Sequence, residues 1–441
     1  MTPRLNLETL AGLPPAVQRP DYDFLNSSIG VVHLGLGAFH RAHQAVYTED
    51  ALRSHGGDWG ILGASLRHAN VPSALAAQQQ LYTVETLGSI SGYRIVAAVR
   101  ASLTATTQRA QLLSALSSPR THIVTLTVTE KGYCLAMNGD LDVANAEIAH
   151  DLTAPRDPSS AIGWLAAGLE ERYLSHRRPL TVISCDNLQS NGAKLRRAVT
   201  TFVERTRPEM LPWMRDNVEY PQTVVDCIVP AATDASRARV KETLGGVEDL
   251  ACVQREPYSQ WVIENRFAGP RPAWEHGGAQ IVADVVDHGR LKLHVLNTCH
   301  SALAYLGLPR GYTFVREAMA DTELAQFLEA LVSTEIAPAL APLAVPEYWQ
   351  TVRPRFANPR IDHRLSQIAQ DGALKLGERV FPLMISNAKA GAPVQGLARI
   401  VRGWLELTGA GLNAALEDPT LLPPAIRTNS ALRTAIAAAV A

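Results

Sequence analysis

The sequence predicts an α/β fold in which a half built on a parallel β-sheet is followed by a mostly α-helical half. Three observations carry this. The β-rich run Ile29-Gly30-Val31-Val32-His33-Leu34 stops at Gly35-Leu36-Gly37, and a helical pattern and a second strand pattern follow it. A β-α-β unit with a glycine turn at the end of its first strand argues for parallel pairing. Strand and helix patterns then alternate to about residue 265, and after Pro270 and Pro272 the β-branched runs give way to helical periodicity.

The elements follow in order. Helical periodicity over 39–52 meets a stop signal at Gly56-Gly57, and 59–65 reads as the second strand. Further strands are expected at 81–86, 93–99, 122–129, 180–184 and 223–229. Gly88 and Gly92 bracket a short polar turn, which marks a hairpin. Helices are expected at 161–175 and 192–204 and, in the second half, at 280–286, 291–306, 323–336, 363–371 and 394–407. The alanine-rich stretch 431–441 reads as a helix or a frayed tail. The change of character between 268 and 280 divides the chain into an expected domain over 1–275 and another over 276–441.

Composition limits the function. At 441 residues the chain is long for one hydrophobic core and fits two domains. With 41 basic and 42 acidic residues and no long basic run, nothing favours a nucleic-acid partner or an anionic membrane surface. A small-molecule substrate is the expectation. The five cysteines are scattered, odd in number and never spaced as CxxC, so reduced thiols are expected rather than a disulfide framework or a structural zinc. No apolar stretch approaches the ~20 residues of a membrane span. The N-terminal residues lack the apolar core of a signal peptide. A cytoplasmic protein is expected.

Gly35-Leu36-Gly37-Ala38-Phe39-His40 stands where a dinucleotide fingerprint belongs, between a strand and a helix. The first glycine permits the tight turn, and the second lets backbone N–H groups approach a pyrophosphate. His40 occupies the place of the usual third glycine, and a GxG after a strand also suits a plain strand-to-helix turn. The acidic residue that binds the free ribose hydroxyl is missing after the second strand, where the chain reads Ser65-Leu66-Arg67-His68. An arginine there accepts a 2′-phosphate, so Arg67 leaves NADP open beside NAD; a solvated strand-end arginine fits equally.

A second constellation is Lys292-Leu293-His294-Val295-Leu296-Asn297-Thr298-Cys299-His300. In an α-helix Asn297 lies about 140° from Lys292 and His300 about 80°, so the three can face one cavity. The trio suits alcohol oxidation without a metal. Lys292 serves as general base once burial disfavours its ammonium form. Asn297 and His300 donate hydrogen bonds to the developing alkoxide. An amphipathic helix with a solvated lysine and a satisfied core histidine fits the same spacing.

Together the two motifs resemble the polyol-specific long-chain dehydrogenases, a family that includes mannitol 2-dehydrogenase and fructuronate (mannonate) reductase. Thr127-Val128-Thr129-Glu130-Lys131-Gly132-Tyr133, Ser184-Cys185-Asp186-Asn187-Leu188 and Val225-Asp226 extend the likeness. The resemblance implies an N-terminal Rossmann-type NAD(P)-binding domain and a helical substrate domain, with the active site in the cleft between them. It assigns catalysis to Lys292, Asn297 and His300 and substrate contacts to Asn187 and Asp226. For the cofactor, NAD with NADP not excluded, the candidate residues are Gly35, Gly37, Ala38, Phe39, His40 and Arg67, and the resemblance places Thr129 near the nicotinamide side. One departure is Gly289, where many relatives carry an acid three positions before the lysine; Asp287 or His288 are candidate substitutes. The implied reaction converts a mannitol-like polyol to its ketose; the alternative is a fructuronate reductase acting on a sugar acid, with His363, Arg364 and Lys375 as candidate cations. A dinucleotide-binding protein without catalysis is disfavoured because all three catalytic positions are filled.

Overall fold

The computed structural model describes residues 2–136 and 138–409, and the chain divides into two compact units at Val285. The expected element at 431–441 lies outside the described residues.

The first unit is organised by a six-stranded, all-parallel sheet. Its strands are β1 (Ile29–Leu34), β2 (Gly60–Ser65), β3 (Val99–Thr104), β4 (Ile123–Leu126), β5 (Leu180–Ser184) and β6 (Val218–Glu219), in spatial order β3-β2-β1-β4-β5-β6. Every residue of β4 and β5 is buried, as a parallel sheet covered on both faces requires. Alternate residues serve opposite faces: Val32, Val124 and Val182 enter one core with helices α4 (Ala161–Ser175) and α5 (Asn191–Thr206). Val31, Ile123 and Ile183 enter the other with α2 (Gln44–His55). The short α1 (Ala38–Ala42) precedes α2, and α3 (Ala146–Thr153) precedes α4.

Five sequence expectations change in this unit. The helix expected over 39–52 breaks at His43, whose backbone leaves the helical region (φ −123°, ψ −88°). The His43 ring stacks on Phe39 at 5.0 Å, and its Nε2 meets the Gln260 carbonyl at 2.9 Å. The strand expected over 93–99 is two strands, Ser91–Val96 and β3. Between them the Ala97 and Ala98 N–H groups donate to the buried Glu49 carboxylate at 2.9 and 2.8 Å, so the chain leaves one sheet for another. The strands expected at 122–129 and 223–229 are shorter, β4 and Thr223–Asp226. The stretch 280–286, expected to be helical, is a strand at Gln280–Val282 that pairs in parallel with Gln260–Glu264. Its β-branched Ile281 and Val282 suit that pleated, half-buried edge better than a helix. The hairpin around Gly88 forms as expected, with Tyr82–Leu87 antiparallel to Ser91–Val96.

The second unit, from Val286 onward, is built in its described residues from helices joined by turns, with one isolated bridge between Phe314 and Arg364. Its first helix runs through α6 (Val286–Leu291), a π-helical turn at Lys292–Asn297 and α7 (Thr298–Gly307). A second π turn, Val332–Ile336, follows α8 (Thr322–Leu331) and packs against the first. Around α7, buried from Thr298 to Tyr305, lie α9 (Val345–Phe356), α10 (Gly372–Arg379) and α11 (Gln395–Thr408). The helix expected over 363–371 is confined to Leu365–Ala369. All five cysteines are free, and no described helix is long and apolar enough to cross a membrane.

Candidate active site

In the first unit the strand order reverses between β1 and β4, and the crevice at their carboxyl ends is where an open α/β sheet receives a ligand. Gly35 makes that crevice possible. Its φ is +97°, and a Cβ there would lie 2.1 Å from the Thr127 carbonyl oxygen, so only glycine allows the two strand ends to close. Thr127 Oγ1 donates to the Gly35 carbonyl at 2.8 Å and locks the junction.

A cavity of about 340 Å³ opens there, lined among others by Gly35, Gly37, Arg67, Thr129, Lys131 and Glu147. Four of the seven residues expected to hold a cofactor therefore share one cavity. The other three, Ala38, Phe39 and His40, lie in α1 outside its lining. His40 is fully buried and stacked on His33 at 3.4 Å, with no hydrogen-bond partner at either ring nitrogen. Burial, and secondarily His33, keep its proton affinity well below the ordinary imidazole value. Within the loop the Gly35 and Leu36 N–H groups donate to the Ala64 carbonyl at 2.8 and 3.2 Å and the Gly37 N–H to the Gly35 carbonyl at 2.6 Å, which fixes the turn ahead of the five-residue α1. Arg67 is ion-paired with Glu147. The glycine loop, the crevice and the ribose-side polar pair fit a dinucleotide.

Sequence reading passed over Asp186 as a site residue. Its carboxylate accepts the Val128 and Thr129 N–H groups at 2.9 and 3.0 Å and the Tyr133 hydroxyl at 2.7 Å. Burial raises its proton affinity, opposed by these donors. Thr129, held by this clamp, has φ +65° and ψ 163°, a strained backbone for a β-branched residue. The fixed polar position after β5 was the signal available. Asn187 follows Asp186 and is exposed. Asp226 is buried at the end of its strand. Asn191 ties the end of β5 to the start of the Asp226 strand: its Nδ2 donates to the Ser184 carbonyl at 3.3 Å and to Thr223 Oγ1 at 2.9 Å, and its Oδ1 accepts the Thr223 N–H at 3.0 Å.

In the second unit the π turn alters the geometry expected of Lys292, Asn297 and His300. A turn closed by i→i+5 bonds takes more residues than an α-turn and brings Asn297 to roughly 50° from Lys292 instead of 140°. Three α-helical residues further, His300 returns to within roughly 60° of both. One extra residue in the turn thus narrows the arc. Arg379, at the end of α10, donates from Nη1 to the Asn297 carbonyl at 3.3 Å and to Ser301 Oγ at 3.0 Å. Its own carbonyl meets His294 Nδ1 at 3.1 Å, so α10 is bound to the turn from both sides.

His300 is buried and its Nε2 has no hydrogen-bond partner. Its ring lies 4.3 Å from Phe356 and, edge-on, 5.1 Å from His363. Burial, then the positive potential of His363, Arg355, Arg379 and Lys292, holds its proton affinity well below the usual imidazole value. The ring is therefore neutral at physiological pH. Of the three candidate cations, His363 stands beside His300. Lys375 donates to the Ile368 carbonyl at 2.9 Å, and Arg364 lies over the Phe314 ring at 5.3 Å. Among the described residues no group of three His, Cys, Asp or Glu side chains is placed to hold a metal ion.

A doubly wound dinucleotide fold joined to a helical domain that gathers a lysine, an asparagine and a neutral histidine defines a class of alcohol-oxidising oxidoreductases. Residues 29–276 match the mannitol dehydrogenase Rossmann domain and residues 284–430 the mannitol dehydrogenase C-terminal domain, and the chain belongs to that family. It is 40% identical to the D-mannonate oxidoreductase of Escherichia coli (strain K12), over 89% of this chain and 82% of that one. Among solved structures it resembles Pseudomonas fluorescens mannitol 2-dehydrogenase in ternary complex with NAD and D-mannitol, with 32% identity, a TM-score of 0.86, and coverage of 99% of this chain and 95% of that one. It also resembles a substrate-free D-sorbitol dehydrogenase, with 28% identity, a TM-score of 0.90, and coverage of 99% and 96%.

Proposed function

We propose that the protein transfers a hydride between a nicotinamide dinucleotide and a secondary alcohol of a mannitol-like polyol, interconverting polyol and ketose without a metal, with Lys292 as general base. The observation that carries this reading is the π turn, which collects Lys292, Asn297 and His300 on one narrow arc. The nicotinamide supplies the hydride acceptor in oxidation and the donor in reduction. Lys292 Nζ takes the hydroxyl proton as the alcohol is oxidised and returns it to the oxygen in the reverse direction. The Asn297 amide and the neutral His300 ring donate hydrogen bonds to the oxygen as alkoxide charge develops. Asn187 and Asp226 bind substrate hydroxyls, and Thr129 borders the nicotinamide.

A second reading, a sugar-acid substrate, is supported by the 40% identity to a D-mannonate oxidoreductase.

Initial rates of NADH and NADPH oxidation with fructose and with fructuronate, in the presence of a chelator, test both. Faster turnover of fructose supports the polyol reading, and faster turnover of fructuronate replaces it with the sugar-acid reading. Loss of all activity on chelation overturns the metal-free mechanism.

A further inference from the structure

The end of β2 carries Ser65-Leu66-Arg67-His68, with no acid to accept a ribose hydroxyl. The structure brings one from 80 residues away along the chain. Glu147 lies in the first turn of α3, where Asn145 caps the helix and its side-chain oxygen accepts the Glu147 N–H at 3.0 Å. That cap fixes the start of α3, and Glu147 lines the same cavity as Gly35, Gly37 and Arg67. Its carboxylate is ion-paired with the Arg67 guanidinium. The two side chains are 65% and 37% exposed, and ion pairs this open to water contribute little to stability, so stability alone is a weak reason for the arrangement.

The charge balance points to recognition. With Glu147 against it, Arg67 offers no net positive charge to a 2′-phosphate, while the carboxylate is a ready acceptor for a free 2′-hydroxyl. The other lysine or arginine lining the cavity, Lys131, lies in the turn that follows β4 rather than β2. We propose that Glu147 supplies the ribose-binding carboxylate absent after β2, with Arg67 as its counter-ion, and that the pair makes the chain selective for NAD(H) over NADP(H). This rests on the nicotinamide-dependent reading above and adds the residue that sets the cofactor preference.

The test is titration of the purified full-length protein with NADH and NADPH, read by cofactor fluorescence and independent of any substrate. Glu147→Gln keeps the shape and removes the charge. It is expected to weaken NADH and tighten NADPH by about tenfold each, as the freed Arg67 takes up the phosphate. Adding Arg67→Ala to that variant should abolish the NADPH gain. An unchanged NADPH-to-NADH ratio of dissociation constants in Glu147→Gln overturns the assignment of Glu147 while leaving a nicotinamide enzyme in place. Failure of the wild-type protein to bind either cofactor overturns the nicotinamide reading itself, and this inference with it.

Discussion

Replacing Asp186 with alanine should loosen the cofactor site without touching any group that reacts. The carboxylate is the common acceptor for the Val128 N–H, the Thr129 N–H and the Tyr133 hydroxyl. Thr129 keeps its φ of +65° because that clamp over-determines it. A non-glycine residue in such a conformation costs of order 1–3 kcal/mol. With the acceptor gone, the turn relaxes, and the bound geometry must be rebuilt at about that cost each time the cofactor enters. At ~1.4 kcal/mol per tenfold, NADH binding should weaken by roughly 5- to 150-fold. Fluorescence titration with NADH measures it, with a thermal melt to show that the domain is folded. Tyr133→Phe is the control, since it removes one donor and leaves both backbone clamps, so its NADH affinity should stay within about threefold. A folded Asp186→Ala protein that binds NADH within about twofold of wild type would refute the argument that Asp186 holds Thr129 for the cofactor.

Lys292→Ala should lower turnover by about 10²- to 10⁴-fold with NADH affinity near wild type, the signature of a lost general base; full activity in steady-state assays would remove that role. Asn297→Ala should cost about 3 kcal/mol in kcat and less in KM if its amide meets the alkoxide; an equal loss in kcat and in substrate affinity points instead to ground-state binding. The His300 ring gives a pH prediction. Its folded proton affinity lies well below the ordinary value of 6.5, so its contribution to stability is complete above that pH. Below it the unfolded chain takes up a proton that the buried ring refuses, and stability is lost as pH falls. Melting temperature should therefore decline from pH 6.5 downward, and His300→Gln should flatten that slope; an unaltered slope rules out His300 as a source.

Much of the first unit was legible because its signals are local. The apolar run 29–34, the glycines at 35 and 37 and the helix at Ala161–Ser175 each announce themselves within a few residues. The errors came where a distant group decides. The chain changes sheets at Ala97 because the Glu49 carboxylate, 48 residues earlier, takes its N–H. The strand at Gln280–Val282 depends on a partner at Gln260–Glu264 that periodicity does not reveal. The lysine, asparagine and histidine were singled out by spacing and family likeness, but the π turn that carries them was not expected, since an inserted residue leaves no mark on hydrophobic period. The roles argued for Asp186 and Glu147 rest on contacts 58 and 80 residues apart along the chain, beyond the reach of any motif window.

The π turn also separates what the second unit needs to fold from what it needs to react. The helix before it, α6, buries no residue, whereas α7 after it is embedded in the core. Removing one residue from 292–297 would restore an ordinary α-helix, and the less buried side would do the turning. α6 would rotate by roughly 100° and carry the lysine away from Asn297 and His300, while α7 kept its packing. A single lost codon should thus leave the helical core folded while separating the lysine from Asn297 and His300.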